Sequence, residues 1–255
     1  GATNLFTGMW DAKVDRAPLL ALTGQVATQV VGTGNFQEVD LVSAFNTVAD
    51  FNHRVQADSP HAELMGLSIK HAILNKDVSH LTFPDEVQIL PSKNSKASNS
   101  EGRMPNLAIT PPKEELTKAT ELIKKAKKPT IIIGHGARNT SQEILNFAEK
   151  IGAPIMTTFK AKGTISDTHP LACGVLGKSG TPVAAHFMSS SDLLIVFGAS
   201  FARHTGISES IPTIQVDHDP LALAKFNTIS VRVLGDIETT ASLLNEKLDT
   251  IDSPQ

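Results

Sequence analysis

The sequence contains a single cysteine, Cys173, and this scarcity excludes several classes of site. One thiol forms neither an internal disulfide nor a CxxC metal site, and a reducing, cytoplasmic setting is the simplest expectation. The nine histidines include no HExxH pair and no serine lies in a GxSxG elbow, so zinc-dependent and serine-dependent hydrolysis lack support. We interpret His53, His61, His71 and His80 as surface or packing residues, and Cys173 as a buried spectator thiol.

Long apolar runs and long basic runs are also missing. No apolar stretch reaches the roughly 18 residues of a membrane-spanning helix, and the first residues lack the order typical of a signal peptide. The net charge is −3 and no basic run is longer than KKAKK at residues 124–128, so neither nucleic acid nor an anionic membrane is an expected partner. Because GATN opens the chain without an initiator methionine, we expect a chain cut from a longer one.

What the sequence does contain is apolar strands alternating with amphipathic helices. Up to residue 90 the pattern predicts the strands PLLALTG, FNHRVQ and VSHLTFP, with HAELMGLSIKHAILN as a long helix. Residues 91–112 are rich in Ser, Asn, Lys and Pro without periodicity, as in an exposed linker. The alternation then restarts with a helix at 113–127 and the strands TIIIG, PIMTTF, DLLIVFG, TIQVD and SVRVLG. This alternation predicts α/β domains on parallel sheets, whose ligands bind where the strands end.

The second segment contains a glycine motif between a strand and a helix. In GHGARN, residues 134–139, the glycines would let the backbone approach a diphosphate. Tight turns also use glycine for steric reasons alone, and local sequence does not separate the two roles. The third glycine of a dinucleotide fingerprint is absent, and the next strand ends in Thr158-Phe159-Lys160 rather than in a ribose-binding acid. NAD is therefore disfavoured.

Two further stretches follow predicted strands at the same edge. Residues 159–180, FKAKGTISDTHPLACGVLGKSG, are predicted to form a long irregular loop, and loops of that length in compact domains are usually functional. Lys160 and Lys162 would neutralise phosphate there or simply be solvated. In QVDHDP, Asp217 and Asp219 are candidate acceptors for ribose or adenine, although capping of the next helix is favoured for Asp219.

The stretch GTGNFQE, residues 32–38, has two interpretations. In the first, Gly32 and Gly34 make turns, Phe36 fills the core, and Glu38 starts the next helix. In the second, Phe36 and Gln37 present a hydrophobic wall and an amide donor to a ligand at the mouth of a parallel sheet.

An ordered set of motifs resembles one family. GATN, PLLALTGQ, GTGNFQE, KPTIIIGHG, the KG loop, GASF, QVDHDP and LGDI follow one another as in the thiamine-diphosphate enzymes of the pyruvate oxidase and acetolactate synthase group. The resemblance implies that residues 1–90 are the C-terminal part of a pyrimidine-binding domain. It further implies a six-stranded, Rossmann-like central FAD or nucleotide domain at 113–250, after the linker that composition predicts at 91–112. The family's activating glutamate and its GDG metal and diphosphate motif have no counterpart here, so the magnesium site would lie outside this chain, and we expect this piece alone to be inactive.

The resemblance also implies roles for individual residues. Asn4 would lie close to the thiamine ring, and Phe36 and Gln37 would line the substrate pocket, where the Gln37 amide hydrogen-bonds the reacting carbonyl. The residues implied to contact FAD are Gly134, Gly136, Thr158, Phe159, Lys160, Lys162, Gly163, Leu176, Gly177, Gly198, Ala199, Ser200, Phe201, Asp217, His218, Asp219, Gly235 and Asp236.

The expected activity follows from the resemblance. We expect pyruvate oxidase-like decarboxylation of a 2-oxo acid with electron transfer to FAD in a homo-oligomer, a dimer or tetramer. Acetolactate synthases typically have a Lys shortly after the FQE helix, and VADFNHRV has none, which favours the oxidase branch. The alternatives are a carboligase or decarboxylase with structural FAD or ADP, a non-catalytic nucleotide-binding module, and an NAD-dependent deacylase-like fold. The last of these is weakened by the missing ribose acid and zinc-type cysteines.

Overall fold

The computed structural model describes residues 1–91 and 101–248, and the chain divides into two compact units between Pro105 and Asn106. The linker expected at 91–112 lies partly outside the described residues, since 92–100 are not among them. Residues 249 and 250, placed by the sequence at the end of the second domain, also lie outside them. In the described ranges, no helix is both long enough and apolar enough to cross a membrane.

The first unit is a three-stranded parallel sheet with helices, in the strand order β1-β3-β2. The sheet is in register at its centre, where Ala21 of β1 and Asn52 of β2 both lie beside His80 of β3. The face that carries these residues packs on Met9 and Phe45. The elements are α1 (Phe6–Val14), β1 (Leu19–Gln25), α2 (Leu41–Phe45), β2 (Phe51–Arg54), α3 (His61–Asn75), β3 (Val78–Pro84) and α4 (Asp85–Gln88).

The second unit is a six-stranded parallel sheet with the strand order β6-β5-β4-β7-β8-β9. Strand order reverses between β4 and β7, the neighbours at the centre of the sheet, and ligands of open α/β sheets bind outside such a reversal. The elements are α5 (Lys113–Lys125), β4 (Pro129–Ile133), α6 (Ser141–Ile151), β5 (Ile155–Thr157), β6 (Ala172–Val175), α7 (Pro182–Ser190), β7 (Leu193–Phe197), β8 (Thr213–Asp217), β9 (Val231–Leu234) and α8 (Ile237–Lys247).

Apolar sequence explains why this second sheet is covered on both faces. Every residue of β4, β7 and β8 is buried, because successive side chains point to opposite faces and both faces pack against apolar clusters. Helices α5 and α6 each turn one apolar side to the larger cluster, through Ile123 and Phe147 among others. The predicted fold class, two parallel-sheet α/β domains with six strands in the second, is confirmed.

One strand lies inside the segment that the sequence predicts to be an irregular loop. Residues Ala172–Val175 form β6, the edge strand that pairs with β5. Its run ACGV is too short, and too interrupted by Gly174, for a period to be recognised. Cys173 lies in this strand, where burial raises the pKa of its thiol to about 11, as suits a spectator thiol.

Candidate functional site

A cavity of about 690 Å³ lies in the first unit where β1 and β3 end. Its volume is in the range of small-molecule pockets, and its position is the one that parallel sheets use for ligands. Its lining includes the last two residues of β1 and three further residues of the amide type. The lining residues are Gly1, Ala2, Thr3, Gly24, Gln25, Val26, Ala27, Val30, Asn35, Gln37, Val39, Leu41, Asp85 and Gln88.

The GTGNFQE loop forms one side of this cavity. Gly32 and Gly34 adopt φ angles of 90° and 72°, with open space where a side chain would stand, so the turn needs glycine for its backbone angles. The helix that follows is not started by Glu38. Asp40 is the N-cap of α2, and its carboxylate accepts a hydrogen bond from the Ser43 N–H at 3.1 Å.

The two implied catalytic residues are placed differently. Gln37 lines the cavity and adopts a φ of 64°, a left-handed conformation that is uncommon outside glycine. Phe36 is 83% exposed and is not among the lining residues. The interpretation that Phe36 fills the core is therefore wrong for the first unit, because Phe36 is exposed and belongs to neither of its apolar clusters.

Asn4 lies next to the cavity in sequence rather than in its wall. It belongs to a single 3-10 turn, Ala2–Leu5, its side chain is exposed, and its N–H donates to the Gly1 carbonyl at 3.1 Å. Ala2 and Thr3, which precede it, do line the cavity. The segment predicted to approach the thiamine ring is thus at the cavity, through these neighbours.

Two residues that sequence reasoning missed hold the rim of the cavity together. Gln25, buried at the end of β1, donates from Nε2 to the Val39 carbonyl at 2.6 Å and accepts from the Val26 N–H at 2.9 Å. The Glu86 carboxylate accepts the Thr28 N–H at 3.1 Å, and its pKa is lowered, chiefly by hydrogen bonding from Thr28. The sequence signal that could have identified Gln25 is a polar residue at the last position of a buried strand.

A buried polar chain runs across the same sheet. The Nδ1 and Nε2 atoms of His80 lie 2.7 Å from the Asn52 Oδ1 and the Thr23 Oγ1. Since Asn52 Oδ1 only accepts, Nδ1 carries the proton and Nε2 accepts from the Thr23 hydroxyl. The ring stacks on Phe45 at 3.9 Å between centroids, and burial lowers the pKa of His80 to about 4. His80 is therefore a neutral packing residue, in agreement with the sequence interpretation.

In the second unit, the loops after β4 and β7 pack backbone against backbone. The Gly136 N–H donates to the Gly198 carbonyl at 3.0 Å, and Gly198 has a φ of 60°. A Cβ on Gly134 would overlap the Gly198 oxygen and the Ala199 Cα. These glycines are therefore required by contact between two loops of the protein, which is the steric role that local sequence left open.

Further loops converge on this edge. The His135 Nδ1 lies 3.2 Å from the Lys160 carbonyl, and the Leu176 N–H donates to the Thr157 carbonyl at 2.8 Å. The Phe159 ring covers Gly177, whose φ is 149°. The structure thus brings together predicted positions that follow β4 and β7, at the strand-order reversal, and β5 and β6 on one side of it. These positions are Gly134, Gly136, Thr158, Phe159, Lys160, Lys162, Gly163, Leu176, Gly177, Gly198, Ala199, Ser200 and Phe201.

The acidic residues at this edge are engaged with their own loops. The Asp217 carboxylate accepts the Asp219 N–H at 3.0 Å and lies 3.5 Å from the His218 ring. Asp219 accepts the Leu221 N–H at 2.9 Å, so it caps a turn rather than the helix expected from sequence. Asp236 is the N-cap of α8 and accepts the Thr239 N–H at 2.9 Å. The N–H of Gly235 donates to the Asp217 carbonyl at 3.1 Å, which joins the last two loops.

The residues present fit the two cofactors that the family resemblance implies. The cavity of the first unit has a volume in the range of small-molecule pockets and several residues with amide side chains in its lining, as suits an aromatic ring and a small 2-oxo acid. At the edge of the second sheet, exposed cationic side chains suit a diphosphate, and the Lys162 ammonium among them is paired with Asp167 at 2.8 Å. These cations are Lys160, Lys162, Lys178 and Arg203. Within the described ranges, no cluster of His, Cys, Asp or Glu is arranged to hold a metal ion.

Comparison with known proteins defines the class. The model of the thiamine pyrophosphate enzyme central domain matches residues 116–244, and that of the N-terminal TPP binding domain matches residues 1–44. The chain therefore belongs to the thiamine pyrophosphate enzyme family. This confirms the resemblance noted from the ordered motifs.

Three relatives illustrate the match. YdaP of Bacillus subtilis, whose name provisionally describes a thiamine pyrophosphate-containing protein, is 36% identical over 92% of this chain and 41% of its own. A probable acetolactate synthase large subunit of Methanococcus aeolicus is 34% identical over 98% of this chain and 44% of its own. The acetolactate synthase large subunit of Corynebacterium glutamicum is 33% identical over 96% of this chain and 40% of its own. The chain thus spans less than half the length of these relatives.

Proposed function

We propose that this chain is part of an acetolactate synthase-like enzyme that joins two 2-oxo acids with loss of carbon dioxide. The observation that carries the proposal is the cavity where β1 and β3 end, with Gln37 among its lining residues. Relatives named as acetolactate synthases support this carboligase alternative better than the oxidase interpretation.

The chemistry divides between cofactor and protein. Thiamine diphosphate, when bound, supplies the nucleophile and the electron sink for decarboxylation. Gln37 would donate a hydrogen bond to the carbonyl oxygen of the 2-oxo acid, and an amide suits that role because it does not titrate. The exposed Phe36 would add an apolar wall once substrate or neighbouring chain covers it.

The balance of the reaction explains why the second unit need not take part in electron transfer. Carbon dioxide leaves the first acid, and the electron pair left behind forms the carbon–carbon bond to the carbonyl of the second. No net oxidation occurs, so FAD or ADP at the edge of the six-stranded sheet would be structural. The cations and backbone donors around Gly163 and Gly177 would hold its phosphates.

A pyruvate oxidase-like reaction is the second candidate. It is favoured by the segment after α2, residues 48–55, which carries no lysine and whose Val48, Ala49, Asn52 and Val55 are buried. In that reaction FAD would accept the electrons that carboligation uses for the new bond. A quinone or dioxygen would then be consumed.

Product analysis separates the two reactions. We expect the complete native protein, given pyruvate, thiamine diphosphate, Mg²⁺ and FAD, to release acetolactate in step with carbon dioxide, without consuming dioxygen or a quinone. Acetolactate is measured as acetoin after acid treatment. Consumption of an electron acceptor in step with carbon dioxide, without acetolactate, would establish the oxidase instead. A purified protein that binds ADP but no flavin would identify the nucleotide of the second unit.

A further inference from the structure

The carboxylate of Glu38 is bound inside the loop that precedes it. It accepts hydrogen bonds from the backbone N–H groups of Gly32, Gly34 and Asn35, the last two at 3.0 and 3.1 Å. Backbone N–H groups that converge in this way form an anion-binding concavity, which here is filled by the chain's own side chain. The Glu38 N–H donates in turn to the Asn35 carbonyl at 3.0 Å, so side chain and backbone close the same turn.

Gln37 belongs to this closed turn. This residue stands between Phe36 and Glu38 with a φ of 64°, a conformation that costs a non-glycine residue about 1 kcal/mol or more. Such an angle persists only where surrounding contacts impose it. On the N-terminal side, the Glu38 carboxylate accepts from N–H groups of residues 32–35, and the Glu38 N–H donates to the Asn35 carbonyl.

We infer that Glu38, as an ionised carboxylate, is a positioning residue that holds the 32–37 loop in the conformation that turns Gln37 into the cavity. For catalysis this inference rests on the proposed function, while the conformational claim stands on the geometry alone. An ionised carboxylate offers two acceptor oxygens and no donor, which matches a concavity lined with N–H groups. Hydrogen bonding from these groups, first from Gly32, also lowers the pKa of Glu38.

The test removes the charge of the Glu38 side chain and keeps its shape. In Glu38→Gln one carboxylate oxygen becomes an NH₂ group, which faces backbone donors and cannot accept from them. We expect amide hydrogen exchange at Gly32, Gly34 and Asn35 to speed up by roughly tenfold. Amides of the buried strand β3 report that the fold is retained. The matched control is Glu63→Gln, on the exposed side of α3, which should leave all of these rates unchanged.

The effect of Glu38→Gln on catalysis is measured on the complete native protein. Displacement of Gln37 should lower kcat about 10- to 100-fold, because a catalytic group misplaced by about 1 Å loses that much rate. The KM for the 2-oxo acid should change less than kcat. Unchanged exchange at the three loop amides would overturn the inference, and so would faster exchange with full kcat.

Failure of this inference and failure of the proposed function give different results. If the unmodified protein forms no acetolactate, the proposed function fails, and the exchange rates of the three amides together with the side-chain amide signal of Gln37 decide the inference alone. If Glu38→Gln weakens the fold, Glu38→Asp retains the charge on a shorter side chain. The exchange rates of the three amides in Glu38→Asp should then fall between the rates in the original protein and the rates in Glu38→Gln. Rates equal to those in Glu38→Gln would contradict the role of the charge.

Discussion

The Nδ1 atom of His80 lies 2.7 Å from the Oδ1 atom of Asn52, and this hydrogen bond joins the central strand of the smaller sheet to its neighbour. Asn52 extends this hydrogen-bond network to α2, because its Nδ2 donates to the Val42 carbonyl at 2.6 Å. The strand β3 is thereby linked, through polar atoms, to the helix that follows the Gln37 loop.

Acid should weaken the first unit through His80. The pKa of His80 is lowered from 6.5 to about 4, so the folded protein binds this proton less readily than the unfolded chain does. Stability is therefore unaffected above pH 6.5, falls as the pH drops from there to about 4, and levels off below, with a total loss of about 3 kcal/mol. Chemical denaturation at a series of pH values measures it. In His80→Phe this component of the pH dependence should vanish, and an unchanged slope would contradict the assignment.

Replacing Gln37 should affect turnover far more than stability. In Gln37→Ala the amide donor is lost, and we expect kcat of the complete protein to fall about 100-fold. The free energy of unfolding should change by less than about 1 kcal/mol, because the side chain is exposed. Gln37→Asn keeps an amide and tolerates a positive φ, so it should retain more activity than Gln37→Ala. Undiminished turnover in Gln37→Ala would remove the residue from the site.

Glycine at the strand-order reversal should be irreplaceable for steric reasons. In Gly134→Ala the new Cβ would overlap the backbone of the loop after β7, and we expect a loss of about 3 kcal/mol or more in the unfolding free energy of the second unit. The control is Gly163→Ala, where the space is open and only the φ of 88° opposes a side chain. That variant should lose about 1–2 kcal/mol. Equal losses would show that loop packing is not the cause.

Two substitutions at Asp236 distinguish a role in helix capping from a role in cofactor binding. Asp236→Ala should destabilise the second unit by about 1 kcal/mol, since the N-cap of α8 is lost. Asn is an equally good N-cap, so Asp236→Asn should restore stability. Affinity for FAD, measured by flavin fluorescence on the complete protein, then shows whether the charge contacts the nucleotide. An affinity unchanged in Asp236→Asn would limit this residue to capping.

The sequence by itself determined the elements whose signal is local. The helix His61–Asn75 and the strands Val78–Pro84 and Thr213–Asp217 have the predicted bounds, because their apolar periodicity or continuous burial is visible in the chain. The order of the motifs likewise identified the family. The strand Ala172–Val175 was not predicted, because a short edge strand with an internal glycine acquires its conformation from pairing with β5.

Only the tertiary structure decided how individual residues are used. The sequence left two roles open for Gly134 and Gly136, and the approach of two loops from distant parts of the chain selects the steric one. Sequence also suggested that Glu38 begins a helix, whereas the folded loop directs its carboxylate back to the N–H groups of residues 32–35. The physical reason is common to both cases: residue type limits which bonds a group can make, while the partner in space selects among them.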